Sequence, residues 1–140
     1  MRISKDQYYL NIAKAVAARS TCLHRQYGAV IVKNGEIIAT GYNGSPRGED
    51  NCSDTGICYR DHNLIPVDKS AAIHGNKYGT CVAVHAEQNA IISAGRERAE
   101  GSVLYLACLD DAPDPTPCNM CNRMIINAGI SKVVTKEGRK

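Results

Sequence analysis

The sequence contains no tryptophan and no phenylalanine, and its seven tyrosines supply the whole aromatic content, 5% of 140 residues. Base-stacking platforms for single-stranded nucleic acid need aromatic side chains, so that class of function finds little support. A surplus of one charge is missing too: 17 basic residues face 14 acidic ones, for a net charge of +3. The one basic cluster is the tail KEGRK, which reads as a solvated end, so no nucleic-acid partner is expected. Long apolar runs are also lacking at the start, where Arg2, Lys5, Asp6, Lys14 and Arg19 interrupt any signal-peptide core or membrane span. A soluble, cytoplasmic protein with no membrane partner is expected, and the length fits a single domain over residues 1–140.

Cysteine, in contrast, is abundant. Seven cysteines form an odd count with no secretory signal, which fits a disulfide framework poorly and metal ligation well. Cys118 and Cys121 sit together in PCNMC, Cys22, Cys52, Cys58 and Cys81 are scattered, and Cys108 in SVLYLAC reads as a small core residue.

Periodicity gives an alternating order of elements. SKDQYYLNIAKAVAARS spaces Tyr9, Ile12, Ala13 and Val16 for an amphipathic helix with Ser4 as N-cap. YGAVIVKN and EIIATGYN are β-branched runs meeting at Asn34-Gly35, a strong hairpin signal. From about Gly44 to Gly79 no period survives, and a loop of that length is expected to be functional or stapled. A second helix is predicted from near His85 to Gly95, then the strand SVLYLAC, a third helix in CNMCNRMIINAG closed by Gly129, and a last strand in SKVVTKE. This order predicts an α/β layered domain with a mixed sheet.

The chemistry gathers at two helix starts. VHAEQNAI places His85, Glu87 and Asn89 in an otherwise apolar run, where a buried polar group without a partner is costly. His85 and Glu87 form H-x-E, and Pro117, Cys118 and Cys121 form P-C-x-x-C. One imidazole and two thiolates match a catalytic zinc site whose fourth position is left for water. Zinc so held brings the pKa of bound water towards neutrality. Glu87 is placed to act on that water as a general acid/base rather than as a ligand.

HAEQNAI followed by PCNMCNRMIINAGISKVV resembles the zinc-dependent cytidine/deoxycytidylate deaminase family, whose signature is H-x-E with P-C-x-x-C. RSTCLHRQYGAVIVKNGEIIATGYNGSPRG extends the resemblance towards the deoxycytidylate (dCMP) deaminases, so that it covers most of the chain. The resemblance implies a three-layer α/β/α sandwich with a mixed central sheet of about five strands. It implies that His85, Cys118 and Cys121 bind zinc, and that hydroxide attacks C4 of a cytosine while Glu87 carries protons to N3 and to the departing amine. Ammonia and a uracil product, dUMP from dCMP, then leave. Asn43 would contact the sugar or base edge, the backbone at Ala86 the pyrimidine carbonyl, Arg47 and Arg25 the 5′-phosphate, and Tyr105 the base.

Several family members are oligomers regulated by deoxynucleoside triphosphates, so the resemblance also implies a homo-oligomer and regulation by dCTP or dTTP, with the segment Tyr42-Asn43-Gly44 involved in the regulatory site, and Arg96 is a further phosphate candidate. Some bacterial relatives carry a second, structural zinc, here expected on some four of Cys22, Cys52, Cys58, Cys81, His62 and His74. LACLDDAPDPTPC departs from the expected short connection, and its Asp110, Asp111 and Asp114 oppose a phosphate. That departure keeps open a deaminase of another small aminated nucleoside, base or purine nucleotide. A tRNA-editing deaminase and a non-catalytic zinc module are weaker alternatives, the latter because a structural site has no use for Glu87.

Overall fold

The computed structural model describes residues 1–56, 81–110 and 115–136. Helix α1 (Lys5–Ala17) begins at Ser4, whose side chain accepts from Gln7 N at 3.1 Å as an N-cap should. Strands β1 (Tyr27–Lys33) and β2 (Glu36–Tyr42) pair as an antiparallel hairpin. Asn34 (φ 54°) and Gly35 (φ 77°) both occupy the left-handed region, the two-residue turn whose twist suits such strands. After the short helix α2 (Cys52–Thr55) come α3 (Ala86–Ala99), β3 (Val103–Cys108), α4 (Asn119–Asn127) and β4 (Lys132–Val134).

The described strands form one sheet in the order β2-β1-β3-β4. β1 runs antiparallel to both β2 and β3, whereas β3 and β4 are parallel, so the sheet is mixed as expected. Four strands are present among the described residues, against about five expected. The last strand is shorter than SKVVTKE suggests, since only Lys132–Val134 pair with β3.

Strand alternation sorts the core into two clusters. Val30, Val32, Tyr105 and Ala107 meet Tyr9, Leu10 and Ala13 of α1 on one face. Ala29, Ile31, Leu104 and Leu106 meet Ala86, Ala90 and Ala94 of α3 and Ile125 of α4 on the other. The parallel β3–α4–β4 step puts α4 on the same face as α3. Gly129 (φ 82°) closes α4 with a bond to Ile126 O at 3.0 Å, the predicted stop.

Helix α3 does not end at Gly95, as the sequence suggests. Gly95 adopts φ 74° and ψ 160° inside it, joining two helical pieces across a kink. Arg98 bridges the break, its Nε donating to Ala94 O at 3.0 Å and a terminal nitrogen to Ser93 O at 2.7 Å. No helix among the described residues is long and apolar enough to cross a membrane.

Two glycines set how near the helices lie to the sheet. A Cβ on Gly28 would strike Ala13 O and Ala17 N of α1, and one on Gly41 would strike Ala86 O and Ala90 N of α3. Gly41→Ala is expected to cost about 1–3 kcal/mol through this overpacking, measured as a fall in the urea unfolding midpoint. An unchanged midpoint would show that α3 can retreat from β2 without loss.

Candidate active site

His85 is the N-cap of α3 (φ −73°, ψ 155°), and three interactions fix it there. Gly44 and Val84 exchange two backbone bonds of 3.1 and 2.7 Å, anchoring the segment just before it. His85 N donates to Gln88 Oε1 at 2.9 Å, which satisfies a backbone donor at the helix start. Asn89 Nδ2 donates to Tyr42 O at 2.8 Å and ties the first turn to the end of β2. The polar residues of VHAEQNAI therefore divide: Gln88 and Asn89 hold the helix, while His85 and Glu87 look into the site.

Cys118 is the N-cap of α4, and its sulfur accepts from Cys121 N at 3.4 Å. His85 Nδ1 lies 3.2 Å from Cys121 Sγ and 3.6 Å from Cys118 Sγ. Tetrahedral zinc with bonds of about 2.0 Å to nitrogen and 2.3 Å to sulfur sets its ligands about 3.5 Å apart. The donor set and the two nitrogen–sulfur distances fit zinc. Among the described residues this is the one group of three or more His, Cys, Asp or Glu side chains brought within ligating reach of one another. Burial, reinforced by the Glu87 carboxylate, pushes the Cys121 thiol far above its ordinary range. A cation in the cradle is what makes a thiolate there affordable.

Glu87 is 6% exposed, in the first turn of α3. Burial raises its carboxyl pKa; a hydrogen bond from its own backbone, the nearby His85 and the Cys121 thiol pull the other way. Beside it opens a cavity of about 530 Å³, within the size range of small-molecule sites. His85, Ala86, Glu87 and Cys118 form its floor, and Arg25, Tyr27, Asn43 and Leu106 contribute to its wall.

Most of the expected substrate residues reach this cavity, with two exceptions. Asn43 lines it, yet its side chain mainly organises the wall: Oδ1 accepts from Ser20 Oγ at 2.6 Å and Tyr27 N at 2.9 Å, and Nδ2 donates to Arg25 O at 2.9 Å. Arg47 sits exposed in a turn and is not among the lining residues. Tyr105 is a correction. It lies on the α1 face of β3, stacked 5.0 Å from Tyr9 with its hydroxyl donating to Asp6 Oδ1 at 3.3 Å. Successive β3 side chains point to opposite faces, so it is Leu106 that reaches the cavity. Burial, with the Asp6 carboxylate beside it, pushes the Tyr105 hydroxyl up to about 12. Tyr27, His24 and Thr116 also line the cavity and are not singled out in the sequence. The alternation of β1 read back from Ala29 is the signal that would have found Tyr27.

None of the six described cysteines forms a disulfide. Ser53 N donates to Thr21 O at 3.0 Å, which pairs the segments carrying Cys22 and Cys52, and Cys22 and Cys81 both line the cavity. These three do not make a three-ligand group by themselves, while Cys58, His62 and His74 fall outside the described residues. Asp110 accepts from the Cys108 thiol at 2.9 Å, and Asp111 and Asp114 also lie outside the described residues.

Cys121→Ser and His85→Ala are each expected to lose the zinc that the wild type retains through gel filtration, as read by elemental analysis. Retention of the full metal content by both variants would place the metal elsewhere.

Residues 3–137 match the family model for the cytidine and deoxycytidylate deaminase zinc-binding region. The chain is 41% identical over 133 residues to a deoxycytidylate deaminase of Schizosaccharomyces pombe, covering 95% of this chain but only 37% of that relative. It is 38% identical to the deoxycytidylate deaminase of Mycobacterium phage D29, covering 92% of this chain and 91% of the phage protein. The crystal structure of dCMP deaminase from cyanophage S-TIM5 in complex with dCMP and dUMP superposes with a TM-score of 0.63 at 28% identity, over 95% of this chain and 81% of that one. With the metal cradle, the buried glutamate and a match running almost from end to end, the chain belongs to the cytidine and deoxycytidylate deaminase family.

Proposed function

We propose that this protein is a zinc-dependent hydrolase that converts dCMP to dUMP and ammonia. The observation that carries the reading is Glu87, a buried carboxylate beside the three-residue cradle at the floor of a cavity. The likeness to a phage relative of nearly the same length and to the nucleotide-bound cyanophage structure supports dCMP over other aminated substrates.

Zinc held by His85, Cys118 and Cys121 would lower the pKa of a water in its fourth position. Every proton movement then falls to Glu87. Its carboxylate takes a proton from the attacking water as a C–O bond forms at C4 of the cytosine, and passes it to N3 of the ring. Glu87 then takes the remaining proton from the new C4 hydroxyl and delivers it to the exocyclic amine; the C–N bond breaks as the C4 carbonyl forms, releasing ammonia and the uracil product. Burial keeps the protonated form accessible between these steps. Ala86, the first residue of α3, lines the cavity, and its backbone N–H is assigned to the pyrimidine carbonyl. Asn43 retains one amide N–H beyond its bond to Arg25 O and is assigned to the sugar. Arg25, rather than the outlying Arg47, is assigned to the 5′-phosphate.

The proposal extends to finer features. Helices on both faces of the sheet support a three-layer α/β/α arrangement, and residues 1–140 are taken as one domain. The pairing of Gly44 with Val84 links the Tyr42–Gly44 turn to His85, a route by which dCTP or dTTP bound at that turn would act on the site. A homo-oligomer in the cytoplasm is the assembly and location that the family suggests. The paired segments at Cys22 and Cys52, with Cys81 nearby, support a second zinc completed by Cys58.

Glu87→Gln is expected to lower kcat for dCMP by about 10²–10⁴-fold while leaving zinc content unchanged. Ammonia release across dCMP, CMP, deoxycytidine, cytosine, dAMP and dGMP checks the substrate, and silence on every cytosine compound would defeat the reading. Tyr105→Phe is expected to leave kcat and KM unaltered and to cost about 1 kcal/mol of stability, because its hydroxyl serves α1 and not the cavity. Elemental analysis is expected to return two zinc ions per chain, and one would remove the structural site.

A further inference from the structure

Arg25 and Tyr27 both line the cavity, and as alternate residues entering β1 their side chains leave the chain on the same side. Asn43 clamps the backbone under both, accepting from Tyr27 N and donating to Arg25 O, each at 2.9 Å. The register does the rest. Tyr27 stands opposite Cys108 on β3, and Leu109 N continues the ladder to Gln26 O at 2.9 Å, which sets Asp110 across from Arg25. Asp110 in turn accepts from the Cys108 thiol at 2.9 Å. Arg25, Tyr27, Cys108 and Asp110 thus share one corner of the sheet, with the Tyr27 ring packed on the core and the Arg25 side chain exposed.

An exposed arginine costs rotamer entropy when a ligand immobilises it, and a neighbour that holds it beforehand removes much of that cost. The Tyr27 side chain is the strongest polar neighbour of the Arg25 guanidinium, with Asp110 a weaker one across the ladder. One donor given to the Tyr27 hydroxyl would leave the rest of the guanidinium fork for anionic oxygens.

We infer that Tyr27 is the positioning residue for phosphate recognition: its hydroxyl holds Arg25 at the cavity mouth, where the guanidinium reads the phosphate monoester of a nucleotide substrate. Asp110 balances the charge of Arg25 when the cavity is empty, so the acidic connection after β3 is compatible with an anionic substrate. This inference rests on the nucleotide reading above.

Tyr27→Phe keeps the ring and its packing and deletes the hydroxyl. Steady-state kinetics on dCMP and deoxycytidine would be compared for the wild type, Tyr27→Phe, Arg25→Ala and the double variant, all zinc-loaded. The expected result is a fall of about tenfold in the ratio of kcat/KM for dCMP to that for deoxycytidine in Tyr27→Phe, carried by KM with kcat for dCMP retained. Arg25→Ala should lower the ratio further, and the double variant should be no worse than Arg25→Ala alone. An unchanged ratio in Tyr27→Phe, or losses that multiply in the double variant, would overturn the inference while leaving the nucleotide reading intact. A wild type that turns over deoxycytidine as well as dCMP would overturn the nucleotide reading and the inference with it.

Discussion

Everything at the site depends on how closely the start of α3 can press against the sheet. The absence of a side chain at Gly41 lets the backbone of Ala86 and Ala90 approach β2, and Asn89 and the Gly44–Val84 pair lock that approach. Only then does His85 arrive within ligating distance of two sulfurs carried by a different helix. A looser packing would leave Glu87 in water, where a carboxyl holds its ordinary pKa and has little hold on a proton near neutrality. Placement of the helix and tuning of the acid are therefore one constraint.

The two ligand-bearing helix starts use their capping positions for a second purpose. A side chain at the N-cap normally accepts from the first exposed amides; at α4 the Cys118 sulfur does so while also facing the cradle. At α3 the Gln88 side chain accepts from the His85 N–H, and the His85 imidazole lies against the thiols. The local helix-starting signals and the metal-binding signals in the sequence are for this reason the same residues.

Much of this is legible in the sequence. The Asn34-Gly35 hairpin, the Ser4 cap and the Gly129 stop follow from short-range chemistry, where a few neighbouring residues decide the outcome; His85, Cys118 and Cys121 are legible from their two motifs, although their meeting is a long-range contact. What escaped was decided over longer range. The resemblance points Tyr105 at the base, but the face it occupies depends on the register of β3 against β1, and that register turns it towards Tyr9 and Asp6. Gly95 reads as a helix terminator locally; Arg98 carries the helix past it by taking up the carbonyls at Ser93 and Ala94. Tyr27 belongs to no motif; strand alternation gives its face, but that this face opens on the cavity depends on Asn43, which is distant in sequence and holds the Tyr27 backbone.

The connection between β3 and α4 has a consequence for how such a protein can diversify. β3 is held by pairing with β1 on one side and β4 on the other, and α4 is fixed at its far end by the Gly129 turn and the return into β4. Both ends of the connection are thus anchored independently of its length. A lineage can lengthen or recharge this stretch without moving the strand and the helix that it joins, so that its sequence and the His85, Cys118 and Cys121 cradle are free to evolve on separate schedules.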